Sequence, residues 1–491
     1  MHTRELPLEL APWALFRVLA RKERPFFIDA GSSWGGEWIS SMGFGPRMQF
    51  QVDATEAASR PALTTLAEAL ATIAPDRGAA TRPRPLPFAG GAIVALAYET
   101  KNEIERLPQS QDEEAGAPRL AAAIYDAVVG YDHRRRRYVV ASWHLDDAAL
   151  ARYADEVMDA AAGAAAGAET DAAPDAESAA ASDAAAIADG GAPGGAGVAS
   201  NFDRDAYAAR VERVRAYIAA GDLYQANLSM RLETALATTP LALYGRLRDA
   251  QPVPFGAYLD LGDAQVLSNS PELFLRRRGD RVETCPVKGT RRRGRDGEED
   301  ARLAAELTRD PKERAEHVMI VDLERSDLGR VCRAGSIRVE GFAAVASFRT
   351  LHHLVTTVRG SLRPEVGVAE LLRATFPGGS ITGAPKIRAM EIIDELERGP
   401  RGFYTGALGW IDASGDLDLN VAIRTAVAAG NRLTYSVGSG IVADSDPARE
   451  HAECGLKADA FLRALGARGD ARLVSATQRR GARDAPTRRA G

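Results

Sequence analysis

The 491-residue chain has only three cysteines, Cys285, Cys332 and Cys454. They are scattered and show no Cys-x-x-Cys spacing, which argues against a disulfide framework or a thiolate zinc site and fits a reducing compartment. No apolar run approaches the length needed to cross a bilayer. Neither charge is in large excess: 67 acids against 62 Lys and Arg give a formal net charge of −5. Electrostatics therefore make no case for nucleic acid or an anionic membrane as the main partner. The first residues include Glu5, Pro7, Glu9 and Pro12 and do not read as a signal peptide, so the cytoplasm is the expected location. There is no internal repeat. What remains is an ordinary globular mixture, 45% hydrophobic and 26% charged, long enough for two or three domains.

Composition divides the chain into four zones. Residues 1–158 are mixed, with strand-like alternation as in Tyr138-Val139-Val140-Ala141-Ser142-Trp143. Residues 159–200 are almost entirely Ala, Gly, Asp, Glu and Ser and cannot bury enough surface to offset chain entropy. A disordered insert is expected there, with an Ala-rich helix over part of it as the competing reading. Residues 201–465 interleave helix and strand signals. Residues 466–491 read as a basic, disordered tail.

The dense zone holds several candidate sites. Ser270-Pro271-Glu272 and Pro286-Val287-Lys288-Gly289-Thr290 each adjoin strand-like segments, and the second reads as a turn presenting an amine. Lys288 is either a surface turn lysine or, if its amine is desolvated, a nucleophile. Asp310-Pro311 and Glu313 signal a helix start. On that helix Glu316 shares a stripe with Met319, Ile320 and Leu323, so its carboxylate needs a base or a metal. Pro377-Gly378-Gly379-Ser380-Ile381-Thr382-Gly383-Ala384 fails the phosphate-loop pattern, because Ala384 stands where lysine is required. It is a glycine turn feeding a helix, a carboxylate site or simply a tight turn. A further helix opens at Asp446-Pro447, with Glu450, Glu453 and Lys457 on one face. Glu453 and Lys457 are spaced either for a helix salt bridge or for a metal and a carboxylate. Arg424, on an expected strand from Leu419 to Val427, needs a carboxylate from protein or ligand. Tyr404 lies in Gly402-Phe403-Tyr404-Thr405-Gly406.

Taken in order, these pieces resemble the chorismate-utilising enzymes: anthranilate synthase component I, aminodeoxychorismate synthase component I, and the isochorismate and salicylate synthases. Gly221-Asp222-Leu223-Tyr224-Gln225-Ala226-Asn227-Leu228-Ser229 and His353-Leu354-Val355-Thr356 extend the match, and Leu86-Pro87-Phe88-Ala89-Gly90-Gly91 continues it weakly into the N-terminal region. The resemblance implies an α+β fold, a large antiparallel β-sandwich flanked by helices. It implies that Glu316 and Glu453 hold Mg²⁺, which binds the ring carboxylate of chorismate. Tyr404, Arg424, Lys457 and the backbone of Gly438, Ser439 and Gly440 would take the pyruvyl carboxylate, with His353, Ser380 and Thr290 lining the ring.

Two positions separate the branches. Isochorismate and salicylate enzymes carry a water-activating lysine where this chain has Gln225, and anthranilate synthases carry alanine at Lys288. The pair resembles aminodeoxychorismate synthase component I. That branch implies addition of Lys288 at C2, loss of the C4 hydroxyl with Glu272 as general acid, and ammonia attack at C4. No Gly-x-Cys-x-Gly elbow surrounds any cysteine, so ammonia is expected from a separate glutamine amidotransferase subunit or from ammonium. Anthranilate synthase component I is the nearest alternative. A non-catalytic binding protein of the same fold is the distant one, weakened by the presence of Lys288, Glu316 and Glu453. Ser326, Thr356 and Cys454 replace the usual Asn, Ser and Thr. Asp29-Ala30-Gly31-Ser32-Ser33-Trp34 lacks the Leu-Leu-Glu-Ser element of tryptophan-regulated relatives. Tryptophan inhibition is therefore not expected, although Pro254 and Phe255 keep part of a vestigial tryptophan pocket.

Overall fold

The computed structural model describes residues 1–32, 38–57, 59–75, 84–108, 118–168, 197–349, 351–466 and the strand Val474–Ser475. Two large sheets dominate it. The first has 13 strands, and its centre runs Phe26–Asp29, Phe255–Asp260, Ala264–Ser270, Thr425–Ala429, Arg432–Ile441 and Gln225–Ala235. The second has 10, and its centre runs Val287–Arg292, Leu351–Ser361, Arg281–Cys285, Leu273–Arg278, Leu417–Val421, Ala407–Asp412 and Gly91–Leu96. Pairing is antiparallel throughout, apart from the short Val474–Ser475 against Ala199–Ser200. The N-terminal zone and the later zone contribute strands to both sheets, since Phe26–Asp29 pairs with Phe255–Asp260 and Gly91–Leu96 with Ala407–Asp412.

The alternation of each strand explains the layering. In Gly91–Leu96, Ala92, Val94 and Leu96 enter the apolar cluster under one set of helices, while Ile93 and Ala95 enter the cluster between the sheets. In Phe255–Asp260, Ala257 and Leu259 face between the sheets and Tyr258 faces the other helix layer. A side chain that turns over every residue requires both faces to be covered, so the molecule is a helix–sheet–sheet–helix stack. The expected sandwich is present.

Local expectations met different outcomes. Asp310 caps the helix Pro311–Gly329, its Oδ1 accepting from Lys312 N at 3.0 Å and Glu313 N at 3.2 Å. The buried stripe of that helix is His317, Ile320, Val321, Glu324, Asp327 and Leu328, so the inward face is rotated one position from the expected one. Glu316, Met319 and Leu323 lie half-buried at its edge. Lys288 sits within the strand Val287–Arg292 rather than on a turn. The register slips between Lys288 and Thr290, where Gly289 adopts φ +66°, a bulge that re-aims the lysine. Arg424 is not on a strand but in the turn before Thr425–Ala429, with φ +50°. The Ala-rich zone begins as helix, Asp147–Ala168; residues 169–196, and the tail after 466 apart from Val474–Ser475, lie outside the described residues.

One buried ion pair ties the parts together. Arg401 is bonded to Glu397 Oε1 at 2.7 Å and Oε2 at 2.9 Å, to Ile381 O at 3.0 Å and to Asn227 O at 2.7 Å. Glu397 in turn accepts from Ser229 N at 2.7 Å. Arg401→Met leaves Glu397 charged and buried, and is expected to cost about 3–5 kcal/mol in urea unfolding. An exposed pair such as Arg302–Glu306 is expected to cost under about 1 kcal/mol.

Candidate functional site

Sheet pairing opens the site. The strand Thr425–Ala429 pairs with Arg432–Ile441 only as far as Ala426 opposite Tyr435. Beyond that point Arg432–Ile441 keeps one neighbour, Gln225–Ala235, with Ser229 opposite Gly438 and Asn227 opposite Gly440. The amides of Asn227 and Ser229 point away from Gly438 and Gly440, to Thr382 O at 2.7 Å and Glu397 Oε1 at 2.7 Å. In an antiparallel ladder the facing Gly438 and Gly440 must then turn their own N–H and C=O groups to the vacated edge. Lys457 Nζ occupies part of that edge, donating to Gly438 O at 2.8 Å. The backbone N–H groups of the two glycines are left as donors for an anion. Ser439 turns its side chain the other way, its Oγ 3.2 Å from Tyr207 OH.

Both glycines are required sterically. A Cβ on Gly440 would lie 2.5 Å from Gln225 Nε2, and one on Gly438 would lie 2.8 Å from Leu228 O and 3.1 Å from Tyr404 OH. Around them are buried polar atoms with no partner among the described residues: Gln225 Oε1 and Nε2, Asn227 Nδ2, Ser380 Oγ and Arg424 NH1. Such atoms are costly in a folded core, so their convergence marks a ligand site. Arg424 beside donor amides, Tyr404 and Lys457 suits a carboxylate. Burial lowers the pKa of Arg424, opposed by Tyr435 and Glu272.

Lys288 and Glu272 face this region from the second sheet. Lys288 Nζ donates to Ser380 O at 3.3 Å, and Val287 N lies 3.5 Å from Glu272 Oε1. Burial raises the Glu272 pKa above the usual carboxylate range, against the opposing pulls of Ser380 and Lys288. The Ser380 hydroxyl approaches Glu272 closely enough to favour the ionised form without making an aligned hydrogen bond. His353 Nδ1 is 2.9 Å from Gly289 O and 3.2 Å from Thr290 Oγ1. A carbonyl can only accept, so Nδ1 carries the proton and Nε2 is left as an acceptor. Burial, together with Arg424, pulls the His353 pKa down to about 4, so the ring is neutral at physiological pH.

The carboxylates come from two helices. Glu316 is half-buried, and burial raises its pKa; Lys288 and Lys312 oppose the shift and Glu450 adds to it. Glu453 is half-exposed and forms the helix salt bridge with Lys457 at 2.8 Å. Glu450, one turn earlier and buried, is the acid the sequence reading noted but gave no role. Asn227 was likewise passed over, although period-2 spacing places it on the face that carries Gln225. Among the described residues no three His, Cys, Asp or Glu side chains meet closely enough to hold a metal alone. The structure couples Glu316 to Glu450, and carboxylate oxygens of this kind are the ligands a hard dication such as Mg²⁺ takes.

Other candidates separate from this centre. Pro254 and Phe255 line a cavity of only about 50 Å³ with Ser41, Arg276 and Asn420, far too small for an indole amino acid. A cavity of about 310 Å³ has Tyr404 and Tyr435 among its lining residues but not Lys288 or Glu272. Lys386 is committed to Asp327 Oδ2 at 2.6 Å and Pro377 O at 2.8 Å, so the glycine loop is braced rather than open to phosphate.

Comparisons with known proteins agree with this picture. The chain is 38% identical over 378 residues to aminodeoxychorismate synthase component 1 of Bacillus subtilis, covering 77% of each chain. It is 39% identical over 382 residues to anthranilate synthase component 1 of Thermus thermophilus, covering 77% of this chain and 78% of that one. Among solved structures, anthranilate synthase component I of Streptococcus pneumoniae superposes with a TM-score of 0.71 at 29% identity, over 88% of this chain and 93% of that one. Residues 23–463 match the description of a chorismate binding enzyme, and the chain belongs to that family of chorismate-utilising enzymes.

Proposed function

We propose that this enzyme replaces the C4 hydroxyl of chorismate with an amino group, forming 4-amino-4-deoxychorismate for 4-aminobenzoate and folate biosynthesis. The observation that carries the proposal is the pairing of Lys288, held on Ser380 O at 3.3 Å, with the buried Glu272 carboxyl. An amine and a proton-bearing acid at one substrate are what this displacement needs, because hydroxide leaves poorly without a proton. Ammonia comes from a separate glutamine amidotransferase subunit, or from ammonium at high concentration.

In this mechanism Arg424, Tyr404, Lys457 and the amides of Gly438 and Gly440 bind the side-chain carboxylate. Neutral His353 and Ser380 line the ring, with the Gly289 carbonyl fixing the His353 tautomer and the Thr290 hydroxyl beside it. Lys288 Nζ adds at C2 as Glu272 protonates the departing C4 hydroxyl, which leaves as water. Ammonia attacks C4, the C2–N bond to Lys288 breaks, and the surplus ammonium proton returns to Glu272. Glu316 and Glu453, with Glu450 near Glu316, would hold Mg²⁺, which would supply the positive charge that takes the ring carboxylate. Anthranilate synthesis is the second reading, because relatives with that name match about as well.

Chorismate, Mg²⁺ and ammonium are expected to yield a product that a 4-aminodeoxychorismate lyase converts to 4-aminobenzoate. Direct appearance of fluorescent anthranilate would refute the assignment. Lys288→Ala is expected to lose 4-amination, and mass spectrometry of the wild-type enzyme should find a chorismate adduct on Lys288.

A general acid works only while protonated, so the rate should fall as pH rises through the raised Glu272 pKa. Glu272→Gln should abolish the rate across the range; a retained rate with an unchanged alkaline limb would assign that limb elsewhere.

Chelation should stop turnover. Glu316→Gln or Glu453→Gln should raise the Mg²⁺ needed for half-maximal rate by roughly tenfold or more, measured by metal titration.

A further inference from the structure

We propose that Tyr207 is a positioning residue for the substrate's side-chain carboxylate: its one phenol oxygen anchors both the strand edge that offers Gly438 and Gly440 and the helix that carries Lys457. The proposal rests on that edge binding the carboxylate, and holds for amination at either ring position.

Tyr207 lies in the first turn of the helix Arg204–Ala219, which Asp203 caps by accepting from Ala206 N at 2.8 Å. The buried stripe of that helix is Tyr207, Val211 and Val214, spaced by four and three. Tyr207 is fully buried, and three other elements meet at its hydroxyl. It donates to Leu228 O at 3.1 Å on the strand Gln225–Ala235. It lies 3.2 Å from Ser439 Oγ on Arg432–Ile441 and 3.3 Å from Cys454 Sγ on the helix Pro447–Ala464. A phenol has one proton and a carbonyl can only accept, so that proton goes to Leu228 O. The Ser439 hydroxyl and the Cys454 thiol are then the donors to the phenol oxygen.

This anchoring falls where the edge is held least. Past the Ala426–Tyr435 pair, Arg432–Ile441 has Gln225–Ala235 as its one strand neighbour among the described residues. The amides of Asn227 and Ser229 turn away from it, so the Leu228–Ser439 pair between them is the bonded one. Tyr207 closes on this pair from the helix side, taking the Leu228 carbonyl and the Ser439 side chain together. Peptide planarity carries the effect to the open edge. The Ser439 N–H shares a peptide plane with the Gly438 carbonyl, and the Ser439 carbonyl shares one with the Gly440 N–H. Holding Ser439 therefore aims the acceptor that Lys457 uses and a donor left for the carboxylate.

The lysine is tied to the same oxygen from the other end. Cys454 stands three residues before Lys457, so the two share one side of their helix. Lys457 Nζ donates to Gly438 O at 2.8 Å. Both partners of that bond are thus anchored on Tyr207, and a slide of the helix along the edge breaks the Cys454 contact or the Ser439 contact. The Tyr207 ring is itself packed near Phe202 and His451, with centroids 6.4 Å and 5.8 Å away, contacts that a phenylalanine keeps.

Tyr207→Phe removes only the oxygen, leaving the Ser439 hydroxyl and the Cys454 thiol without their acceptor. With ammonium as co-substrate, its KM for chorismate is expected to rise roughly tenfold while kcat stays within about threefold of wild type. Ser439→Ala should raise KM by a smaller factor. The double variant should be no worse than Tyr207→Phe, because both substitutions cut one connection. A wild-type KM in Tyr207→Phe, a loss confined to kcat or Tm, or KM effects that multiply in the double variant would each overturn the proposal. Arg424→Met separates it from the reading beneath it. A raised KM in Arg424→Met beside a wild-type KM in Tyr207→Phe removes the role of Tyr207 alone. A wild-type KM in both removes the carboxylate assignment of the edge as well.

Discussion

Buried polar atoms without partners are the constraint around which this molecule is organised. Gln225, Asn227, Ser380 and Arg424 each place such atoms where the two sheets meet. Each unsatisfied atom costs about 1–3 kcal/mol, so a scaffold that keeps them there must be over-determined nearby. Arg401 does this, joining Glu397, Ile381 and Asn227 through one fully bonded guanidinium. The strand carrying Gln225 and Asn227, the loop before Thr382 and the turn leading to Tyr404 are thereby fixed relative to one another. Arg424 at φ +50° is a further strained position held by this frame.

The second organising feature is the separation of charges. Lys457 Nζ and the N–H groups of Gly438 and Gly440 gather at the vacated edge of Arg432–Ile441. Glu272 and Glu324 are driven toward their neutral forms by burial at the other side. Glu316 and Glu450 approach one another from two helices.

Much of this was legible in the sequence, for identifiable reasons. Caps are local, so Asp310 and Asp446 announced their helices, and both side chains accept the expected backbone bonds. Strand alternation is local too, and Tyr138 to Ser142 and Phe274 to Arg277 fall on strands. The salt bridge between Glu453 and Lys457 was readable from spacing of four on a helix. The misplacements are of another kind. Lys288 looked like a turn lysine because Pro286 and Gly289 flank it, but its pairing with Leu354 makes it a strand residue. Arg424 looked like a strand residue because its neighbours are apolar, whereas the strand begins only at Thr425. The helix Pro311–Gly329 buries His317, Glu324 and Asp327, polar residues that a hydrophobic stripe drawn from sequence counts as outward.

The sequence alone determined the elements, the residue types available for chemistry and the family resemblance, because caps, alternation and motif order are properties of neighbours along the chain. It also placed Gln225 and Lys288 in one argument. Only the tertiary structure decided which groups lost their partners: where Thr425–Ala429 leaves the edge of Arg432–Ile441, and which acid is buried without a cation. Those outcomes depend on strands and helices hundreds of residues apart meeting in space, and desolvation there sets the protonation of Glu272, Glu324 and His353.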